Sequence, residues 1–258
     1  MDEKGATVTP AVHGKGSKAI KWLGIFVLGG ALLLIVIVLG AATLARFDII
    51  DKIAGFGPFY MALNPSRALT IIGVLGLIFA FWRSTGQVVK LFVGTILSGA
   101  LLIAIYALLV IPGGKVPPIH DITTDLNDPP QFTALDVEPV STGPFTQEEW
   151  RAFHEESYAN IQPVVIDKPP REVLANARAL AEARGWEIVS ADPATGILEA
   201  TATAGYVRFY DDVVIEVTPV ADGSTRVDMR SVSRVGVSDV GYNAARIESF
   251  LSDLRTAE

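Results

Sequence analysis

Cysteine is missing from the 258 residues. No disulfide framework, thiolate metal site or thiol nucleophile can therefore exist. Charge is scarce, with 19% of residues Asp, Glu, Lys or Arg against 50% hydrophobic, which excludes a disordered chain. Histidine occurs only at His13, His120 and His154, and no spacing supplies the three or four protein ligands that zinc needs. There is no P-loop, no G-x-G-x-x-G turn, and no G-x-S-x-G elbow around Ser231, Ser233 or Ser238. Phosphate cradling and the nucleophile elbow thus have no support in the sequence.

The charge that is present is divided unevenly. Residues 1–115 hold ten Lys/Arg against four Asp/Glu, residues 116–258 hold eleven against twenty-four, and the net charge is −7. A basic half and an acidic half belong in different surroundings. The acidic half repels phosphate backbones, so nucleic acid is not an expected partner.

The basic half contains long uncharged runs. Trp22–Leu44 and Leu91–Ile111 carry no charge over 23 and 21 residues, and about 20 apolar residues cross a bilayer core. A cleaved signal peptide has a shorter apolar region and is not followed by further spans. Between the two lies Ala68–Trp82, bounded by Arg67 and Arg83. Its fifteen residues reach about 22 Å as a helix, short of a core of about 30 Å. Snorkelling arginines extend it to a crossing; a re-entrant or interfacial segment is the alternative.

Three crossings put the chain ends on opposite sides. Lys4, Lys15, Lys18, Lys21, Arg83 and Lys90 fall on one side, and Arg46, Lys52, Arg67 and Lys115 on the other. The positive-inside rule makes residues 1–21 a cytoplasmic tail and places the acidic domain outside the cytoplasm. The spans hold no ionisable side chain, which argues against a pump or ion-coupled transporter. Gly94 and Ser98, with Gly73 and Gly76, suit close packing among the spans.

Residues 112–169 form a linker and wrap, with eight of the fifteen prolines between Pro117 and Pro169. Thr146 and Glu149 make a capping box for a short helix to Tyr158. Residues 170–258 read as an α+β core. A helix opens at Pro169-Pro170 and stops at Gly185. Strands follow at Trp186–Ala191, Ile197–Ala204, Tyr206–Val220 and Thr225–Val235, and Ser238 or Asp239 caps a last helix to about Arg255. The spacing predicts an antiparallel four-stranded sheet with two helices on one face. A three-residue loop Asp222–Ser224 would set Val217 opposite Met229, Glu216 opposite Arg230, Val214 opposite Val232 and Asp212 opposite Arg234, so that charges meet opposite charges.

The stretches PPIHDITTDLNDPPQF at 117–132, DDVVIEVTP at 211–219 and RSVSRVGVSDVGYNAARIESFL at 230–251 resemble the family called domain of unknown function 1499. The resemblance covers roughly residues 116–255. It implies a domain carried behind a few hydrophobic spans in a bacterial membrane, and it implies no activity.

Two groups carry candidate chemistry. His120, Asp121, Asp125, Asn127 and Asp128 are dense enough in oxygen to suggest Ca²⁺. They lack the spacing of a calcium loop, however, and Asp and Asn equally make turns before prolines. Arg226, Arg230 and Arg234 share a strand face, with Arg246 on the last helix. They suit a carboxylate or phosphate, or a ladder of pairs with Asp212 and Glu216. The candidate ligand or partner surface is therefore His120, Asp121, Asp125, Asp128, Asp212, Arg230, Arg234 and Arg246. No catalytic residue, metal or cofactor is assigned.

The expected function is a binding or interaction module, tethered at the outer face of a bacterial cytoplasmic membrane. Its partners would be the bilayer and an envelope or membrane protein, or a small ligand. A tethered enzyme using the segment around His120 and Asp121 is one alternative; a structural subunit of a membrane complex is the other. Because the chain has no cysteine, a single Ser252→Cys, off the apolar stripe of the last helix, reports the side of the membrane. A membrane-impermeant maleimide should label it in intact spheroplasts; labelling only after lysis would reverse the orientation.

Overall fold

A computed structural model of the chain describes residues 15–82, 88–138 and 140–256. The charges expected at Lys4 and Arg83, with His13, lie outside the described residues. The chain forms two compact units. One runs to Gly40 and resumes over Gly57–Ile105; the other comprises Ala41–Phe56 and Tyr106 onward.

The helices are α1 (Lys15–Arg46), α2 (Lys52–Met61), α3 (Leu63–Trp82) and α4 (Val89–Ile105). After α4 the chain makes a π-helical turn over Tyr106–Val110 and the short α5 (Ile111–Gly113). Three helical stretches, Lys18–Arg46, Lys52–Trp82 and Val89–Gly113, are long and apolar enough to cross a membrane. The middle stretch corrects the short span read from the sequence, because helix begins at Lys52 rather than near Ala68. Asp51 caps it by accepting the N–H of Ile53 and Ala54. Pro65 sits in the first turn of α3, where no intrahelical N–H is needed.

Small residues set the helix spacing in the first unit. A Cβ on Gly94 of α4 would lie 2.6 Å from the Leu28 backbone nitrogen of α1, and one on Gly73 of α3 would lie 2.2 Å from Thr95 Oγ1 of α4. Ser98 accepts from Thr70 Oγ1 across α3 and α4 and donates to the Thr95 carbonyl. Gly94 and Ser98 are thus occupied within this chain.

The second unit holds β1 (Asp121–Thr123), α6 (Gln147–Ser157), β2 (Val164–Ile166), α7 (Pro170–Ala183), β3 (Glu187–Asp192), β4 (Ile197–Ala204), β5 (Phe209–Pro219), β6 (Thr225–Ser233) and α8 (Tyr242–Thr256). The fold is α+β, and the sheet is antiparallel in the order β1-β6-β5-β4-β3, with β2 also on β6. Six strands replace the four expected. β1 and β2 have three residues each, too few to show alternation, and lie end to end along the outer edge of β6. The capping box of α6 forms as expected.

The hairpin between β5 and β6 is displaced by two residues from the expected register. Val217 faces Val227, Ile215 faces Met229 and Val214 faces Arg230, while Glu216 faces Asp228. Turn chemistry overrides charge matching here. Gly223, at φ +88°, takes the last position of a three-residue loop, where a left-handed residue is required. Val220 therefore donates to the Ser224 carbonyl, and Asp222 binds the N–H and hydroxyl of Ser224. Burial, then the like charges of Asp228 and Asp128, push the Glu216 carboxyl above its ordinary value.

One sheet face packs on the helices. Leu198, Ala200, Val213, Ile215, Val217, Val227 and Met229 meet Leu174 and Ala177 of α7 and Ile247, Phe250 and Leu251 of α8. Trp150 of α6 joins the same core. Residues Ala41–Phe56 also belong to this unit. Lys52 is 7% exposed; it donates to the carbonyls of Ala45 and Val207 and pairs with Asp48 at 2.9 Å. By sequence position alone Lys52 counts only as a loop charge.

Gly94→Ala forces an added carbon against the α1 backbone. It should destabilise the helical unit by about 1–3 kcal/mol, as overpacking does. Thermal unfolding in detergent measures it, and an unchanged midpoint would show that α1 and α4 do not pack this closely.

Candidate functional site

The sheet's other face is charged. Register aligns Glu199, Val214, Arg230 and Thr123 in one cross-strand row, and Thr201, Asp212, Val232 and Asp121 in the next. These side chains point away from the helices, since neighbours along a strand alternate. Most are nonetheless buried: Glu199 and Asp121 are fully covered, Arg230 is 1% exposed and Asp212 5%.

An irregular strap after β1, described over residues 125–138 and 140–141, accounts for this. A buried irregular segment must find partners for its backbone groups, and the sheet charges supply them. The Glu199 carboxylate accepts the N–H of Thr133, Ala134 and Leu135 and the Thr133 hydroxyl, at 2.6 to 3.1 Å. Burial works against this charge, but the four donors outweigh it and hold the carboxyl below its ordinary value. Arg230 donates to the carbonyls of Pro130 and Glu138 and lies 5.4 Å from the Phe132 ring centre.

Arg230 also forks onto Asp121, with Nε to Oδ1 at 2.9 Å and Nη2 to Oδ2 at 2.7 Å. This replaces the expected partner Glu216. Asp121 Oδ2 further accepts the N–H of Ser141, and the Asp121 carbonyl accepts from Trp150 Nε1.

The remaining candidates are also engaged. Asp125 Oδ1 accepts the N–H of Asn127 and Asp128 in an Asx turn, while Oδ2 takes Arg226. Asp128 is exposed and gives this turn only its backbone. Arg246 pairs with Asp211, which is 1% exposed. Burial lifts the Asp211 carboxyl above its ordinary value despite that cation. Asn243 ties β6 and α8 to the His120 carbonyl through Ser231 and Ser233. Arg234 pairs diagonally with Asp212 at 2.8 Å and keeps 44% of its side chain exposed.

Two clefts open between these groups. The first, about 400 Å³, lies between the strap and the sheet; Leu135, Glu138, Ser141, Asp212, Ser233 and Arg234 are among its walls. His120 stands behind Ser141, with Nε2 3.0 Å from the Ser141 hydroxyl. The second, about 530 Å³, is lined by Asp125, Arg151, His154, Tyr158 and Arg226 among others. His154 Nε2 accepts the Thr123 N–H, and burial keeps its pKa below the ordinary histidine value. The structure thus brings His120, Asp121, Asp212, Arg230 and Arg234 to one strap–sheet layer. Asp125 and Asp128 lie at the second cleft's end of the strap, and Arg246 belongs to α8 and pairs with Asp211 of β5. Sequence reading misses Glu199, Ser141 and the whole strap contact; no local pattern marks a carboxylate whose partners lie more than sixty residues away.

The family described as "Protein of unknown function (DUF1499)" matches residues 121–254. That is more than half of the chain, and the chain belongs to this family. No curated protein matches it.

Arg230→Ala leaves the Asp121 charge buried and unpaired, and should cost about 3–5 kcal/mol in a denaturant titration. Asp121→Leu combined with Arg230→Met should recover much of the loss, and failure to do so would mean the strap, not the charge, dominates. Glu199→Gln places an amide donor against backbone donors and should loosen the strap at neutral pH. Because the Glu199 pKa is lowered on folding, its contribution is full above its ordinary value of about 4.5 and is lost as pH falls through the depressed value. The variant's acid-unfolding curve should therefore be flatter than the parent's below pH 4.5, and parallel curves would contradict the strap's dependence on that charge.

Proposed function

We propose that this DUF1499 member is a membrane-tethered binding module. Its three apolar helical stretches would hold the acidic α+β domain at the outer face of a bacterial cytoplasmic membrane. There the strap–sheet cleft would take a small polar ligand or a segment of an envelope or membrane protein. The observation that carries this reading is the contrast within one layer: Asp121, Arg230 and Glu199 are sealed and spent on the fold, whereas Arg234 and Asp212 border an open cleft of about 400 Å³. Clefts of this size and mixed polarity suit small ligands. The occupied state of Gly94 and Ser98 gives less support to the structural-subunit reading, which needed them as an interface.

Native mass spectrometry of the full-length protein, extracted gently from its own membrane, tests the proposal. A co-purifying ligand or subunit, lost in Arg234→Ala, is expected. Arg234 keeps 44% of its side chain exposed, but its partner Asp212 is buried and would retain only the Thr201 hydroxyl, so the loss of ligand counts only if the variant's unfolding transition shows that it is folded. A bare monomer from the parent would overturn the proposal.

A further inference from the structure

We propose that Ser141 and His120 form a nucleophile–base pair at the wall of the strap–sheet cleft, competent for acyl transfer from a carboxylic ester. The inference rests on the reading of that cleft as the functional site and goes beyond binding.

Hydrogen-bond accounting orients the pair. His120 Nδ1 lies 3.4 Å from the Val237 carbonyl, which can only accept, so Nδ1 carries the ring proton. Nε2 then holds a lone pair, and the Ser141 hydroxyl 3.0 Å away is its donor. This is the arrangement in which a base withdraws the proton of an attacking hydroxyl, with a third group fixing the far side of the ring. Here the third group is a backbone carbonyl.

The serine is held firmly. Its N–H donates to Asp121 Oδ2 at 2.7 Å, and that carboxylate is clamped by the fully buried Arg230. Gly143, at φ +60°, leaves the His120 edge uncrowded; a Cβ there would approach His120 Cε1 to 3.8 Å. His120 itself is 6% exposed, whereas Ser141 is half-buried and lines the cleft. Arg234 lines the same cleft. Its Nε and Nη2 are taken by Asp212 and Thr201, while Nη1 has no partner among the described residues. That nitrogen is the cation available to a developing oxyanion.

In the reaction, Ser141 Oγ bonds to the ester carbonyl carbon and its proton passes to His120 Nε2. The tetrahedral oxyanion faces Arg234 Nη1. Collapse breaks the ester C–O bond, and the departing alcohol oxygen takes the proton from Nε2. Water then attacks the acyl-serine, again through His120, and releases the carboxylic acid. Ester and water are consumed, acid and alcohol are formed, and no other reactant is needed.

The test uses a fluorophosphonate probe on the full-length protein in detergent, with the labelled residue located by peptide mass spectrometry. A covalent adduct on Ser141 is expected, absent in Ser141→Ala. It should be slowed at least about 100-fold in His120→Gln, whose amide keeps the hydrogen bond but takes no proton. Because His120 is buried, the Gln variant counts only if its unfolding midpoint is near the parent's; the parent's adduct site is informative without it. No adduct on Ser141 in the folded parent, or equal labelling of a folded Gln variant, overturns the proposal. A ligand retained in native mass spectrometry without labelling leaves the binding reading standing and removes the reactive pair. Labelling of Ser141 with no ligand retained does the reverse.

Discussion

Arg230 donates two hydrogen bonds to Asp121 where both side chains are buried, and the sheet face beneath the strap is arranged around that contact. Burying two charges is costly, and their attraction repays it only when geometry is good and the remaining polar atoms are satisfied. Both conditions hold. The guanidinium also donates to two strap carbonyls, and the carboxylate also accepts a strap N–H. Glu199 repeats the device with the opposite sign two strands away, collecting three backbone N–H groups. A strap with little regular structure is thereby fixed on a sheet face that would otherwise be wet.

This gives the sheet two kinds of interior. The helix-covered face is closed by apolar packing of α7 and α8, which is non-directional and tolerant of volume-conserving exchange. The strap-covered face is closed by charge-assisted hydrogen bonds, which are directional and demand particular partners. Towards Leu135, Glu138 and Ser141 the strap borders the cleft. Arg234, four residues beyond Arg230 on the same strand face, shows the change: the same residue type is sealed at one position and 44% exposed at the other.

The three stretches that resemble the family supply many of the polar groups that fix this unit, although Glu199 and the strap from Thr133 onward lie outside them. His120 and Asp121 come from the first, Asp211 and Asp212 from the second, and Arg230, Arg234, Asn243 and Arg246 from the third. Most of their polar side chains are committed to the fold, so a sequence signature of this kind reports architecture first. Of the groups at the strap–sheet cleft, Ser141 lies outside the three stretches.

Local rules reach much of the molecule. Uncharged length marks two of the helical stretches, Thr146 and Glu149 mark the start of α6, and helical or alternating periodicity marks α7, α8 and the four longer strands. Each of these is decided within about fifteen residues by propensity, capping or burial of one face. The extent of the middle helical stretch escapes them because the uncharged run stops at Arg67, whereas helix continues back through Pro65 in the first turn of α3 and Pro58 within α2. Tertiary structure alone decided the rest: the two short strands on β6, the two-residue register displacement imposed by Gly223, the pairing of Arg230 with Asp121 and not Glu216, and the Glu199 cradle. These join groups distant in sequence or, in the hairpin, set the backbone demand of a turn against charge matching. That choice is made by which arrangement pairs most buried polar groups at once, a condition no stretch of sequence states by itself.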